Sequence, residues 1–177
     1  MKIIPIVEQA SIKPEAYAVI GLNFGDEGKG QTVYTVSEEL AKQGGQIVVV
    51  KNNGGAQAGH TVTKMIGIGE TQNPVRFIHS QTGSNQAFGE ENNSTVILGD
   101  KFFFNPQNFL REYEKLMEVR TINGFNHPIK FFINAKCQVI LTADIRHGRK
   151  REEELQHGSC GEGIFSTFSR VNHAGLS

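Results

Sequence analysis

The sequence has 177 residues, the size of one ordinary domain with room for a hydrophobic core. Its 18 basic and 18 acidic residues balance, so no overall field favours nucleic acid or an anionic membrane as a partner. The apolar run at the start is short and broken by Pro5, and no later run approaches a membrane span. Cys137 and Cys160 belong to no paired-cysteine metal spacing and fit a reducing compartment. A cytoplasmic protein without a signal peptide is expected.

The first part of the chain alternates a strand, a glycine-rich loop, a helix and a second strand. Residues 1–15 form an extension in which prolines interrupt a short edge strand. The domain itself, residues 16–177, begins with the apolar run Ala16–Gly21, which is typical of a buried strand. After a glycine-rich loop, Gln31–Gln43 shows helical periodicity, and Ile47–Val50 is rich in the β-branched residues that favour strands. This order predicts an α/β fold with a mostly parallel β-sheet flanked by helices.

The rest of the sequence continues with shorter elements. Strands are predicted at Thr61–Ile66, Val75–His79, Thr95–Leu98, Ile129–Ile133 and Gln138–Leu141, and helices at Asn105–Glu118 and Arg146–Leu155. Residues 67–93 are rich in Asn, Gln and Gly, which indicates loops around a short strand. The last predicted helix opens with basic residues that could contact phosphate, but three glutamates follow them, which favours a solvated surface helix.

The first glycine-rich loop combines glycines, two carboxylates and a lysine, at Gly25, Asp26, Glu27, Gly28, Lys29 and Gly30. A loop between a strand and a helix aims unpaired N–H groups and the helix dipole at one point, where a phosphate is stabilised. The loop resembles a Walker-type phosphate loop, but Gly30 replaces the hydroxyl residue that would hold magnesium. Because bare carboxylates repel phosphate, Asp26 or Glu27 is expected to bind Mg²⁺ or to take a proton from a substrate.

The second glycine-rich loop, Gly54–Thr61, follows the next predicted strand. The carboxyl ends of neighbouring parallel strands face one crevice, so His60 is expected to approach Asp26. Small residues let the backbone of this loop approach a ligand, and Gln57 and His60 are its polar side chains. A lone histidine is more often structural than catalytic, but beside a phosphate loop a catalytic role is favoured.

The first two loops together closely resemble the adenylosuccinate synthetase family, whose hallmarks are Gly-Asp-Glu-Gly-Lys-Gly and Gly-Gly-x-Asn-Ala-Gly-His-Thr. The first motif is intact at Gly25–Gly30, and the second is intact except for Gln57 in place of asparagine. A third cluster, Gly158–Ile164, is similar to the family's Gly-Thr-Thr-Gly-x-Gly-Ile segment, which contacts the phosphate of the monophosphate substrate. Phe24 stands where the family usually has tryptophan, which is a mild departure.

This resemblance implies a P-loop-like fold and a ligase that uses GTP and Mg²⁺ to join L-aspartate to inosine monophosphate through a 6-phosphoryl intermediate. Asp26 would be the base that removes the purine N1 proton, and His60 the acid that stabilises charge on the 6-oxygen. Magnesium would be held by Asp26 and the carbonyl of Gly59. Contacts with GTP are implied for Gly25, Glu27, Gly28, Lys29, Gly30, Gly59, His60 and Thr61. The monophosphate would contact Asp26, Gln57, Ser159 and Cys160, and a homodimer is expected.

Several alternatives stay open at the level of sequence. Because the family's enzymes are longer, the chain is expected to be their amino-terminal part, without the segments that recognise guanine and aspartate. It could instead be a short nucleotide-binding homologue without ligase activity, or a phosphotransferase sharing only the phosphate loop. A phage branch of the family uses deoxyguanylate, but typically has serine where this chain has Asp26, which favours inosine monophosphate. Arg170 could also reach a nucleotide, in its own subunit or across a dimer.

Overall fold

The computed structural model describes residues 14–22, 26–68, 71–156 and 158–173. Four helices and six strands are numbered here in chain order. They are α1 (Lys29–Lys42), β1 (Val48–Gly55), β2 (His60–Ile66), β3 (Asn73–His79), β4 (Thr95–Phe104), α2 (Pro106–Ile122), β5 (Lys130–Ile133), β6 (Gln138–Val139), α3 (Thr142–Leu155) and α4 (Ile164–His173). Within these described ranges, no helix combines the length and the apolar character needed to cross a membrane.

A four-stranded parallel sheet forms the centre of the structure. Strand β4 lies between β1 and β5, and β6 also pairs with β4, in each case in parallel. Val96, Leu98 and Phe102 of β4 are fully buried and pack with Cys137 on one face of this sheet. The predicted α/β class with a parallel sheet and flanking helices is therefore confirmed.

Strands β2 and β3 form a separate antiparallel hairpin that packs against α1. Alternate residues of the hairpin face inward, and Val62 and Phe77 are buried opposite each other in register. They belong to a second core cluster with Tyr34 of α1 and Leu116 of α2. His60 and His79 are also directly opposed. Each lies two residues from Val62 or Phe77 along its strand, which places both histidines on this same inward face.

The segment that follows β3 is a polar loop, as predicted, but its burial was not foreseen. Residues 79–89 are almost entirely buried, although many of them carry amide or hydroxyl side chains. Gln81 bonds both the N–H and the carbonyl of Asn105, and Gln86 donates to the carbonyl of Ser94. These side chains supply the hydrogen bonds that a buried irregular backbone lacks. The fully buried Arg120 of α2 also donates to carbonyls of this loop.

The strand predicted at Ala16–Gly21 is wrong. Residues 14–21 have no regular secondary structure and are mostly exposed, with Tyr17 and Ile20 among the exposed apolar residues. An apolar run becomes a strand only where a neighbour accepts its backbone hydrogen bonds, and among the described residues the parallel sheet has β1 at this edge. The edge strand expected within the first 13 residues lies outside the described residues.

Helices α3 and α4 pack against each other near the end of the chain. Helix α3 begins four residues before the predicted helix, and α4 was not predicted. Arg170 of α4 bonds the Asp144 carboxylate on α3 at 2.9 Å and the carbonyl of Val139 on β6 at 2.8 Å. Arg170 thus joins three elements of its own chain. Its positive charge is paired with the Asp144 carboxylate, so a nucleotide is not needed to explain it.

Candidate functional site

The first loop forms the start of α1. Gly28 is the residue before the helix and has a φ of 70°, a left-handed conformation that glycine adopts without steric cost. Its N–H donates to the Asp26 carboxylate at 3.3 Å. The Glu27 carboxylate accepts from the Leu22 N–H at 2.8 Å and from Lys29 Nζ at 2.9 Å. The local contacts therefore turn Asp26 to an exposed position and pair Glu27 with Lys29, whereas Gly25 lies outside the described residues.

The first and second loops meet where Gly30 packs on His60. A Cβ atom added to Gly30 would lie 2.7 Å from the His60 Cβ and 3.0 Å from its carbonyl carbon, so only glycine fits there. Gly30 is buried in the first turn of α1, while His60 opens β2. Residues of both loops line a cavity of about 400 Å³, among them Lys29, Gly30, Lys51, Asn53, His60 and Ser84.

His60 is surrounded by charges of both signs. Burial lowers its pKa, and the nearby Lys51 and Lys29 ammonium groups lower it further. The Asp26 and Glu112 carboxylates act in the opposite direction without reversing the shift. The net effect of these groups favours the neutral form of His60.

Lys51 is a charged group of this cavity that the sequence analysis did not single out. It lies on β1, and its Nζ donates to the carbonyls of Ser80 and Thr82, the latter at 3.2 Å. Burial lowers the pKa of Lys51 to about 8, against the opposing effect of Glu112. Lys51 directly follows the strand predicted at Ile47–Val50 and is separated from the second loop by two residues, and this position was the signal that could have identified it.

Gly59 and Thr61 flank His60 but differ from it in surroundings. Gly59 is exposed, and a Cβ added there would lie 3.2 Å from the Ile78 side chain. Alternation along β2 turns Thr61 away from the inward face, and its hydroxyl accepts from Arg76 at 3.4 Å. Of these three neighbours in sequence, only His60 lines the 400 Å³ cavity.

A second cavity, of about 610 Å³, brings the second loop to the third glycine cluster. Gln57, Ser159 and Cys160, the residues expected to contact a monophosphate, all line it. The two segments are held together because Gly55 packs on Ile164 and on the Phe103 carbonyl, where an added Cβ would lie 2.7 and 2.8 Å away. The sequence places these residues about a hundred positions apart, and the tertiary structure unites them.

The basic stretch of α3 borders this second cavity. Arg151 lines it, with its guanidinium 4.3 Å from the centre of the Phe165 ring. The stem of Arg149 packs on Gly161, whose φ is 66°. Helix α3 is largely exposed, as the sequence analysis favoured. Two of its arginines nevertheless face the third glycine cluster. An exposed helix can therefore still offer basic side chains to a phosphate at this cavity.

A magnesium ion would find oxygen ligands on the two glycine-rich loops, although Asp26 and Gly59 are not among the residues that line the first cavity. Asp26 and Gly59 are both exposed, so a carboxylate and a main-chain carbonyl are open to solvent there. Mg²⁺ typically uses one or two carboxylates together with substrate phosphates and water. In the part of the chain that the structure describes, no group of three or more His, Cys, Asp or Glu residues forms a metal site. Asp26 and Gly59 suit a site that phosphate oxygens complete, and they remain candidate ligands.

Comparison with known proteins agrees with this geometry. A profile of the family described as adenylosuccinate synthetase matches residues 18–176, which is nearly the whole chain. The adenylosuccinate synthetase of Thermoplasma volcanium is 34% identical over 154 residues, covering 85% of this chain and 30% of that protein. The enzyme of Deinococcus radiodurans is 31% identical over 164 residues, covering 90% of this chain and 33% of that protein.

The alignments cover most of this chain but only part of each relative. The adenylosuccinate synthetase of Borrelia duttonii is 27% identical over 164 residues, with 90% of this chain and 33% of the relative covered. The chain thus spans about a third of the length of the curated relatives it matches. With both hallmark loops meeting at one cavity and the profile covering residues 18–176, the chain belongs to the adenylosuccinate synthetase family.

Proposed function

We propose that this chain forms the phosphate- and purine-binding part of a GTP-dependent ligase that joins aspartate to inosine monophosphate. The observation that carries the proposal is the packing of Gly30 on His60, since Lys29 and Gly30 of the first loop and His60 of the second loop line one cavity. The Asp26 carboxylate opposes the lowering of the His60 pKa, which supports the same pairing although burial and two lysines outweigh it. Membership of the family supplies the reaction class.

The residues of the two glycine-rich loops would divide the chemistry between them. Asp26 would remove the purine N1 proton while His60 stabilises the charge that develops on the 6-oxygen. Lys29 and the N–H groups at the start of α1 would hold the GTP phosphates. Magnesium, when bound, would neutralise phosphate charge during transfer. The phosphates would also raise the pKa of His60, offsetting Lys29 and Lys51 and favouring the protonated acid.

The second cavity would hold the phosphate of the purine monophosphate. Ser159 offers a hydroxyl, and Gln57 offers an amide from the neighbouring loop. Arg151 adds a guanidinium group at the same cavity, which can donate charge-assisted hydrogen bonds to a phosphate. The monophosphate would then lie between the two cavities, with its base toward Asp26 and His60. The cytoplasmic location and the homodimer expected from the resemblance belong to this proposal, and light scattering tests the dimer.

The first experiment measures binding and turnover separately. Titration calorimetry with GTP and Mg²⁺ tests the first cavity, and calorimetry with inosine monophosphate tests the second. The chain is then incubated with GTP, Mg²⁺, aspartate and inosine monophosphate while the absorbance of the succinyl-purine product is followed. Asp26→Asn and His60→Asn are expected to lower turnover about 10²-fold or more, since each removes a group that transfers or stabilises a proton. Glu39→Gln, near the far end of α1, and His173→Asn, on α4, both change exposed residues and serve as controls.

A second candidate is a nucleotide-binding protein that does not ligate. If GTP binds and no monophosphate, deoxyguanylate included, gives a product, this second function replaces the first. If neither nucleotide binds, both functions are excluded.

A further inference from the structure

His79 is a fully buried histidine that the proposed chemistry does not use. It ends β3, and its exposed fraction is zero. Its ring packs 4.7 Å from the ring of Phe77, and burial is the first cause that lowers its pKa well below the usual range. Lys51 and His60 lower that pKa further. A buried imidazole of this kind is neutral, so one of its nitrogens carries a proton and the other a lone pair.

The tautomer of His79 follows from its hydrogen bonds. Its Nδ1 lies 2.7 Å from the hydroxyl of Thr82, and that hydroxyl lies 2.5 Å from Oε1 of Glu112. A carboxylate only accepts, so Thr82 must give its single hydroxyl proton to Glu112. The hydroxyl can then only accept from His79, which places the imidazole proton on Nδ1. The lone pair of His79 is therefore on Nε2.

Nε2 of His79 has no hydrogen-bond partner among the residues that the structure describes. An unpaired polar atom in a buried position is costly, so a donor is expected to reach it. His60 is directly opposite His79 in the register of the hairpin, on the same inward face. Opposed side chains of an antiparallel pair have Cβ atoms about 5 Å apart, within reach of two imidazole rings. His60 is also the partner with space to rotate, because it lines the cavity and is only partly buried.

We infer that His79 is a positioning residue for His60, which donates one ring N–H to Nε2 of His79 and thereby joins a chain that runs through Thr82 to Glu112 of α2. This inference rests on the proposed function of His60. The hydrogen bond fixes the plane of the His60 ring and leaves its second nitrogen facing the cavity. The carboxylate of Glu112, on a different element, anchors the far end of the chain of hydrogen bonds.

The direct test is nuclear magnetic resonance on the ¹⁵N-labelled chain. Long-range proton–nitrogen correlations report which nitrogen of each of the six histidines carries the proton, and single His→Gln variants assign them. His79 is expected to be protonated at Nδ1, with its Nε2 coupled to a ring nitrogen of His60 across the hydrogen bond. His60 should then favour one tautomer about tenfold, the bias that one ordinary hydrogen bond gives.

Two variants separate positioning from a purely structural role. His79→Leu removes the acceptor and should bring the two His60 tautomers close to equal populations. Phe77→Leu, at the next inward position of the same strand, perturbs the packing but should leave the His60 tautomer unchanged. In the ligase assay, His79→Leu should lower kcat about tenfold with little change in KM for GTP, while Phe77→Leu should not.

Several outcomes would overturn the inference. These are a proton on Nε2 of His79, an ordered water as the partner of Nε2, or equal effects of the two leucine variants on His60. Should His79→Leu fail to fold, the tautomers of the unsubstituted chain decide the question alone. Because these measurements need no nucleotide, they can succeed while the ligase assay fails, and the reverse also holds.

Discussion

Lys51 and Glu112 hold the same three-residue turn from opposite sides. Lys51 donates to the carbonyls of Ser80 and Thr82, while Glu112 accepts from all three N–H groups of residues 80–82 at 2.8–2.9 Å. The turn leads out of β3 directly after His79. Since Lys51 also lines the cavity beside His60, this pair connects the candidate site to α2.

Glu112→Gln is expected to destabilise the fold by about 2 kcal/mol, since hydrogen bonds to a charged acceptor contribute about 1.5–3 kcal/mol and the amide can accept only part of the set. Urea unfolding measures the change. Glu114→Gln, exposed on the same helix, is the matched control and should alter stability by less than about 0.5 kcal/mol. Equal effects of the two substitutions would show that Glu112 does not hold the turn.

Lys51 should titrate near pH 8, well below its ordinary value of 10.5, because burial disfavours its charged form. Between these two values the unfolded chain binds more protons at this position than the folded chain. The contribution of Lys51 to stability therefore improves as pH rises from about 8 toward 10.5. Carbon-detected titration of labelled lysine Cε atoms measures the midpoint, with Lys51→Arg for assignment and the exposed Lys101 as reference. A midpoint near 10.5 for Lys51 would contradict the expectation.

Gly30→Ala and Gly28→Ala both replace a glycine of the first loop, but we expect them to destabilise the fold for different reasons. At Gly30 the new methyl group would meet His60 at 2.7 Å, so we expect a loss of about 1–3 kcal/mol and shifted His60 resonances. At Gly28 no atom lies within 4 Å, but the φ of 70° costs about 1 kcal/mol for alanine.

Urea unfolding together with the His60 spectrum distinguishes the two effects. Gly28→Asn should restore part of the loss, because asparagine tolerates the left-handed region. An unchanged His60 spectrum in Gly30→Ala would mean that the two loops do not touch in solution.

Asp144 should make stability depend on acid pH. Burial alone would raise its pKa, but hydrogen bonds from Arg170, the Leu141 N–H and Thr167 outweigh burial and lower the pKa below 3.8. A depressed carboxyl pKa stabilises the fold above its ordinary range, and that contribution is lost as pH falls through the folded value. Asp144→Asn should cost about 2 kcal/mol near neutral pH, with the difference from the unsubstituted chain narrowing below pH ~4. A difference that stays constant with pH would contradict this account.

The sequence predicted most elements because their signals are local. The apolar periodicity over 31–43 predicted α1, and Asn105 before Pro106 predicted α2, where the Asn105 side chain accepts from two N–H groups of the first turn. The strand at 16–21 was wrong since its apolar run identifies a strand only if a sheet neighbour is available. Lys51, His79 and Glu112 were missed because nothing adjacent to them in sequence indicates that they share one turn.

What the sequence by itself determined is the family resemblance of the two glycine-rich loops, since glycines, acids and a lysine at fixed spacing encode backbone freedom and charge within a few residues. Only the tertiary structure decided that Gly30 packs on His60, that Gln57 shares a cavity with Cys160, and that a polar loop fills the space beside them. The physical reason is that these contacts join residues far apart in the sequence. Hydrogen bonds and burial between distant residues depend on how the sheet and helices pack, and no short stretch of sequence records that packing.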